Sequence, residues 1–149
     1  MIPLPKEINV LYVDDEQNYL TAFRAAFRWK FNIYTALTAD EACEVLHREH
    51  IHVVIADNRM PGTSGVAFFK YMMEQYPAII RMLITAYQNA SDMMDAVNIA
   101  HVFRYMLKPW NETELECLIR EGYEIYVKES GKEQLINTLE FFLRQKLLS

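Results

Sequence analysis

The chain is poor in the residues that build sites on their own. Two cysteines, Cys43 and Cys117, are far apart and in no metal-like spacing. They exclude a disulfide framework and a zinc knuckle, and read as reduced thiols of a cytosolic protein. With only four glycines, no GxGxxG or GxxxxGK[ST] run occurs, which removes the common phosphate-cradling loops of nucleotide-binding modules. No apolar run approaches the roughly 18 residues of a membrane span, and the N-terminal MIPLPKE lacks the apolar stretch of a signal peptide. No Lys/Arg block is present and the formal net charge is -5, so direct nucleic-acid binding has no electrostatic footprint. Repeats, low-complexity segments and an interior linker are absent too. A soluble, cytoplasmic chain without membrane or nucleic-acid partners is expected.

What is present is a core. The 149 residues are 52% hydrophobic, enough for one well-buried domain and too few for two comfortable ones. Five apolar runs of strand length recur: INVLYV (8–13), FNIYTA (31–36), HVVIA (52–56), IIRMLI (79–84) and VFRYML (102–107). Each is rich in β-branched or aromatic residues. Between them lie stripes of helical spacing: Leu20, Phe23 and Phe27; Ala42, Val45 and Leu46; Val66, Phe69 and Met73. Alternating strands and helices predict an α/β doubly wound parallel sheet covered on both faces. TADE (38–41), NETE (111–114) and SGKE (130–133) each place a capping side chain three residues before a Glu. The last of these predicts a separate C-terminal helix after Ser130, with Leu135, Leu139, Phe142 and Lys146 on one face and Ile136, Leu143 and Leu147 beside it.

In such sheets ligands sit outside the carboxyl ends of the strands. Four of the five runs deliver polar residues there: Asp14 and Asp15 after the first, Asp57 after the third, Thr85 after the fourth and Lys108 after the fifth. The second run delivers nothing charged before Asp40, as an edge strand away from a site would. Three carboxylates together repel and need a cation. All-oxygen ligation favours a hard ion, and Mg²⁺ characteristically combines one or two carboxylates with waters and a phosphate. Lys108 can hold a phosphoryl oxygen as a point charge and Thr85 can donate to another. Phosphoryl transfer asks for little more. Asp57, alone between the acidic pair and the lysine, is the candidate nucleophile, forming an aspartyl phosphate. DNRMPGTSG (57–65) suits a tight turn into the next helix, Ala86 leaves room for a phosphoryl group, and a cis bond at Pro109 would aim Lys108.

These five elements, in this order and spacing, resemble the receiver domain of bacterial two-component response regulators over about residues 7–128. The resemblance implies a flavodoxin-like, five-stranded sheet of order 2-1-3-4-5. It implies Asp57 as phosphoacceptor, Asp15 and Asp57 as direct Mg²⁺ ligands, Asp14 as a ligand through water, and the Arg59 backbone carbonyl as a further ligand. Thr85 would be the switch hydroxyl, Lys108 the site lysine with a cis peptide to Pro109, and Tyr105 the aromatic switch residue. A sensor histidine kinase or phosphotransfer protein would supply the phosphoryl group, which would shift a pre-existing equilibrium read out on helix 4, strand 5 and helix 5. Such a domain is a signalling module, with self-phosphorylation and slow self-dephosphorylation its only expected chemistry. Arg59 and Tyr87 flank the site and would tune the loss of phosphate. DNRMPG and YMLKPW look most like receivers of HD-GYP-type phosphodiesterases or hybrid kinases. Residues 1–128 would form the receiver and 129–149 an amphipathic helix serving as dimerisation element or connector, in a free-standing protein or a fragment of a longer one.

A haloacid-dehalogenase-like phosphatase would also use an aspartyl nucleophile and Mg²⁺, but its DxD signature is absent and the acceptor here lies on the third strand. A pseudo-receiver that only binds partners would have no use for all five site residues. His47, His50, His52 and His101 show no ligand spacing beyond one i, i+3 pair and are expected at the surface or boundary. The eight methionines read as core filler, with Met93 and Met94 in the expected readout helix as the exceptions.

Overall fold

A computed structural model describes residues 6–86 and 89–148. Five strands and five helices alternate: β1 (Asn9–Val13), α1 (Gln17–Phe27), β2 (Asn32–Ala36), α2 (Ala39–Arg48), β3 (Val53–Asp57), α3 (Gly65–Gln75), β4 (Ile80–Thr85), α4 (Ala90–Asn98), β5 (Arg104–Leu107) and α5 (Glu112–Leu148). All pairings are parallel and the order is β2-β1-β3-β4-β5. This is the expected flavodoxin-like arrangement. The expected apolar runs became these strands with ends moved by at most two residues.

Side-chain alternation sorts the core into two layers. Val10 and Tyr12 of β1, Ile55 of β3 and Met82 and Ile84 of β4 pack with Leu20, Phe23 and Phe27 of α1 and Leu115 and Ile119 of α5. The opposite faces, including Leu11, Val13, Val54 and Leu83, pack with α2, α3 and α4. β3 is buried at every residue, which is why its sequence is continuously apolar up to Asp57.

Two of the three expected caps act as such. Thr38 Oγ1 accepts the Glu41 N–H at 3.1 Å and Asn111 Oδ1 accepts the Glu114 N–H at 2.9 Å. The third does not: α5 runs unbroken from Glu112 to Leu148 through Ser130 and Gly131. A cap requires non-helical backbone at Ser130. Here the first half of α5 is already nucleated by burial of Leu115, Ile119 and Gly122, so propagation costs only about 1 kcal/mol at Gly131. A Lys132–Glu129 ion pair at 3.3 Å spans the junction. The helix is about 55 Å long at 1.5 Å per residue, and every residue from Gly131 to Leu148 is exposed. The tail therefore does not fold back on the domain.

His52 departs from the expected surface or boundary position. It is buried, its Nδ1 accepts the Asn9 N–H at 3.0 Å, and Tyr123 and Tyr126 of α5 pack edge-on against its ring.

Candidate functional site

Strand register assembles the site. Val13 pairs with Ala56, so Asp14 and Asp57 come to the same level one residue further on. Thr85 pairs with Leu107, which puts Lys108 just past it, and the Lys108 N–H donates to the Thr85 carbonyl at 2.8 Å. The Lys108–Pro109 peptide is cis, as expected.

The carboxylates of Asp14, Asp15 and Asp57 offer oxygen atoms that all lie within 4.8 Å of one another. Asp14 is fully buried and Asp57 is 5% exposed, whereas Asp15 faces solvent. Lys108 Nζ bridges the two buried ones, 2.6 Å from Asp14 Oδ2 and 3.0 Å from Asp57 Oδ2. It also sits over the Tyr19 ring, 3.7 Å from its centroid. Asp14 Oδ1 accepts the Glu16 N–H at 3.0 Å, and Asp57 Oδ1 accepts the Arg59 N–H at 3.1 Å.

The electrostatics follow from this crowding. Burial pushes the Asp57 carboxyl above the ordinary carboxylate range. Lys108 and the Arg59 N–H pull it down, Asp14 pushes it further up, and the net direction is upward. Burial opposes the charge on Lys108, but its bonds to Asp14 and Asp57 outweigh that and hold its ammonium above the usual lysine value. Burial thus decides the direction at Asp57, and the two carboxylates decide it at Lys108. Three hard-oxygen ligands around a partly exposed rim fit a divalent cation of the Mg²⁺ type, which keeps some of its waters.

The loop after Asp57 is held by Asn58, whose Oδ1 accepts the Val66 N–H and whose carbonyl accepts the Gly65 N–H at 3.2 and 3.0 Å. Gly65 is required by proximity: a Cβ there would lie 2.6 Å from the Asp57 carbonyl oxygen. An open cleft beside the carboxylates is lined by Asp15, Asn58, Arg59, Met60, Asn89 and Asp92. Thr85 is buried at the end of β4. Tyr105 is half-buried against the α2–α4 side of the core. Burial and the Asp92 charge raise its phenol, opposed by Arg59 and a hydrogen bond to the Asn89 backbone. Tyr87 lies outside the described residues.

Sequence reasoning brought Asp14, Asp15, Asp57, Thr85 and Lys108 to one rim, and the structure places them together. It missed Tyr12, whose hydroxyl donates to Asp14 Oδ2 at 2.9 Å, and Trp110, whose ring packs on Tyr12, Tyr19 and Phe23. The i, i+2 alternation of β1 already put Tyr12 on the face of Asp14.

A sequence profile of the response regulator receiver domain matches residues 10–120. The hydrogenase transcriptional regulatory protein HoxA of Cupriavidus necator is 38% identical over 119 residues, which are 80% of this chain and 25% of that protein. The transcriptional regulatory protein ZraR of Escherichia coli K12 is 27% identical over 116 residues, 77% of this chain and 26% of that one. The chain thus spans about a quarter of the length of the curated relatives it matches. Both named relatives are transcriptional regulators. The signal receiver domain of an HD domain-containing protein from Pseudomonas fluorescens Pf-5 shares the fold, with a TM-score of 0.80 at 23% identity over 83% of this chain and 99% of that one.

Proposed function

Since the chain belongs to the response regulator receiver domain family, we propose that Asp57 accepts a phosphoryl group from a phosphohistidine of a sensor histidine kinase or phosphotransfer protein. The observation that carries this reading is the Lys108 ammonium bridging Asp14 and Asp57 at 2.6 and 3.0 Å. In the transfer, an Asp57 carboxylate oxygen forms the new bond to phosphorus while the donor's P–N bond breaks. The freed imidazole nitrogen keeps the electron pair and is then protonated. Lys108 moves its charge onto a phosphoryl oxygen and the Thr85 hydroxyl donates to another. Asp14, Asp15, Asp57 and the Arg59 carbonyl would hold Mg²⁺. When bound, that ion offsets the charge of the carboxylates and the incoming phosphoryl group.

The output is a population shift: Thr85 and Tyr105 settle toward the phosphorylated site and alter the surface of α4, β5 and α5. The domain acts as a phosphoacceptor in signalling, with chemistry limited to gaining and losing one phosphate. A donor charged from ATP sets this exchange in the cytoplasm. The exposed second half of α5 then serves as a connector to an output domain or as a contact between two copies.

The test is incubation with acetyl phosphate and Mg²⁺. One acid-labile phosphate per chain is expected, and Asp57→Asn takes none. Equal labelling of that variant rejects Asp57 as acceptor, while multiple turnover of a free phosphate ester favours the dehalogenase-like phosphatase.

A further inference from the structure

The interior of β1 carries one hydroxyl where an aliphatic residue would fill the same layer. Tyr12 is fully buried. Its ring is stacked on Phe23 at 4.5 Å between centroids and met edge-on by Trp110 at 5.9 Å, so the phenol has little freedom to turn. A hydroxyl buried without a partner costs a few kcal/mol, and the one partner Tyr12 has among the described residues is Asp14 Oδ2 at 2.9 Å. That same oxygen is the one held by Lys108 at 2.6 Å. Asp14 therefore has two donors on one oxygen, one of them fixed in the core and the other on a side chain that must do something else.

Resting on the phosphoacceptor reading above, we propose that Tyr12 is a positioning residue: its hydroxyl keeps Asp14 Oδ2 bonded when Lys108 leaves it for the phosphoryl group. The physical need is specific. Asp14 has no exposure to water, and a buried carboxylate stripped of a charged partner is destabilised strongly. With Tyr12 in place, Oδ2 retains a donor throughout and Oδ1 retains the Glu16 N–H. Without it, Lys108 is the sole donor to Oδ2 among the described residues, and its transfer takes away that oxygen's last protein donor. Tyr12 thus lowers the cost of moving Lys108 and touches neither phosphoryl group nor donor.

The test compares wild type with Tyr12→Phe, which keeps the ring and removes only the hydroxyl. At saturating acetyl phosphate and Mg²⁺ the phosphorylation rate constant falls roughly tenfold, the size of one hydrogen bond to a charged group. In a Lys108→Ala background the same substitution changes the rate less than about twofold, because the residue it served is gone. Affinity for beryllofluoride, read from Trp110 fluorescence in a Trp29→Phe background, falls by a factor similar to the rate. Affinity for Mg²⁺ alone moves less than about threefold. A purely structural tyrosine gives the opposite pattern: an equal fold-change with and without Lys108, or no change in rate or beryllofluoride affinity, and either result overturns the inference. A wild type that takes no phosphate at all overturns the phosphoacceptor reading and this inference with it. A labelled wild type beside an unaffected Tyr12→Phe overturns this inference alone.

Discussion

The rim of the sheet and the far half of α5 invert the usual partition of residues in opposite ways. At the rim, two carboxylates and an ammonium are withdrawn from water; along the tail, Leu135, Ile136, Leu139, Phe142 and Leu143 are all more than half exposed. Charges are rarely fully buried unless paired, and contiguous apolar surface is rarely left open unless something covers it. The rim resolves its inversion internally, because Lys108 reaches across from β5 to satisfy Asp14 and Asp57. The tail resolves nothing internally. One region closes its charges on one another, and the other leaves its apolar side chains open.

That contrast sets an order of expected effects. The largest belongs to Lys108→Ala, which leaves Asp14 and Asp57 buried without their shared cation. Thermal or urea unfolding without Mg²⁺ should show a loss of about 3–5 kcal/mol, and adding Mg²⁺ should recover part of it. A variant as stable as wild type would mean that the rim is not held by this bridge. Gly65→Ala comes next. Its Cβ would meet the Asp57 carbonyl at 2.6 Å and Leu83 Cδ1 at 2.8 Å, so a stability loss of about 1–3 kcal/mol is expected by overpacking, with a lower phosphorylation rate because the acceptor strand is displaced. An unchanged rate would break the link between this close approach and the site. The smallest effect is that of removing residues 131–149. No residue of that segment described in the structure is buried, so the unfolding free energy of the domain should change by no more than about 0.5 kcal/mol. A large loss would show that tail and rim are one cooperative unit.

The rim was legible in the sequence because strand-end position is a local property: once five apolar runs are marked, the residue after each is fixed, and parallel register brings them level. Asp14, Asp57 and Lys108 needed no further information. The continuity of α5 was not legible in the same way. Ser130 and Glu133 carry a real capping pattern, but whether a helix restarts depends on whether it had ended, and the docked turns around Leu115 and Ile119 keep it running. Tyr12 was hidden for a related reason. An aromatic in a strand satisfies the apolar pattern, and only the coordinates reveal that its hydroxyl meets a carboxylate. His52 likewise looked like any polar residue at the start of a strand, until α5 was seen to cover it.

The central claim is that distant residues converge to make Asp57 the esterified group, and the most direct measurement is chemical mapping of the phosphorylated chain. Borohydride reduction of the acyl phosphate followed by peptide mass spectrometry should convert one residue, position 57, to homoserine, in a yield that tracks the phosphate incorporated. Homoserine at Asp14 or Asp15, or undiminished phosphate with position 57 unreduced, would contradict the account.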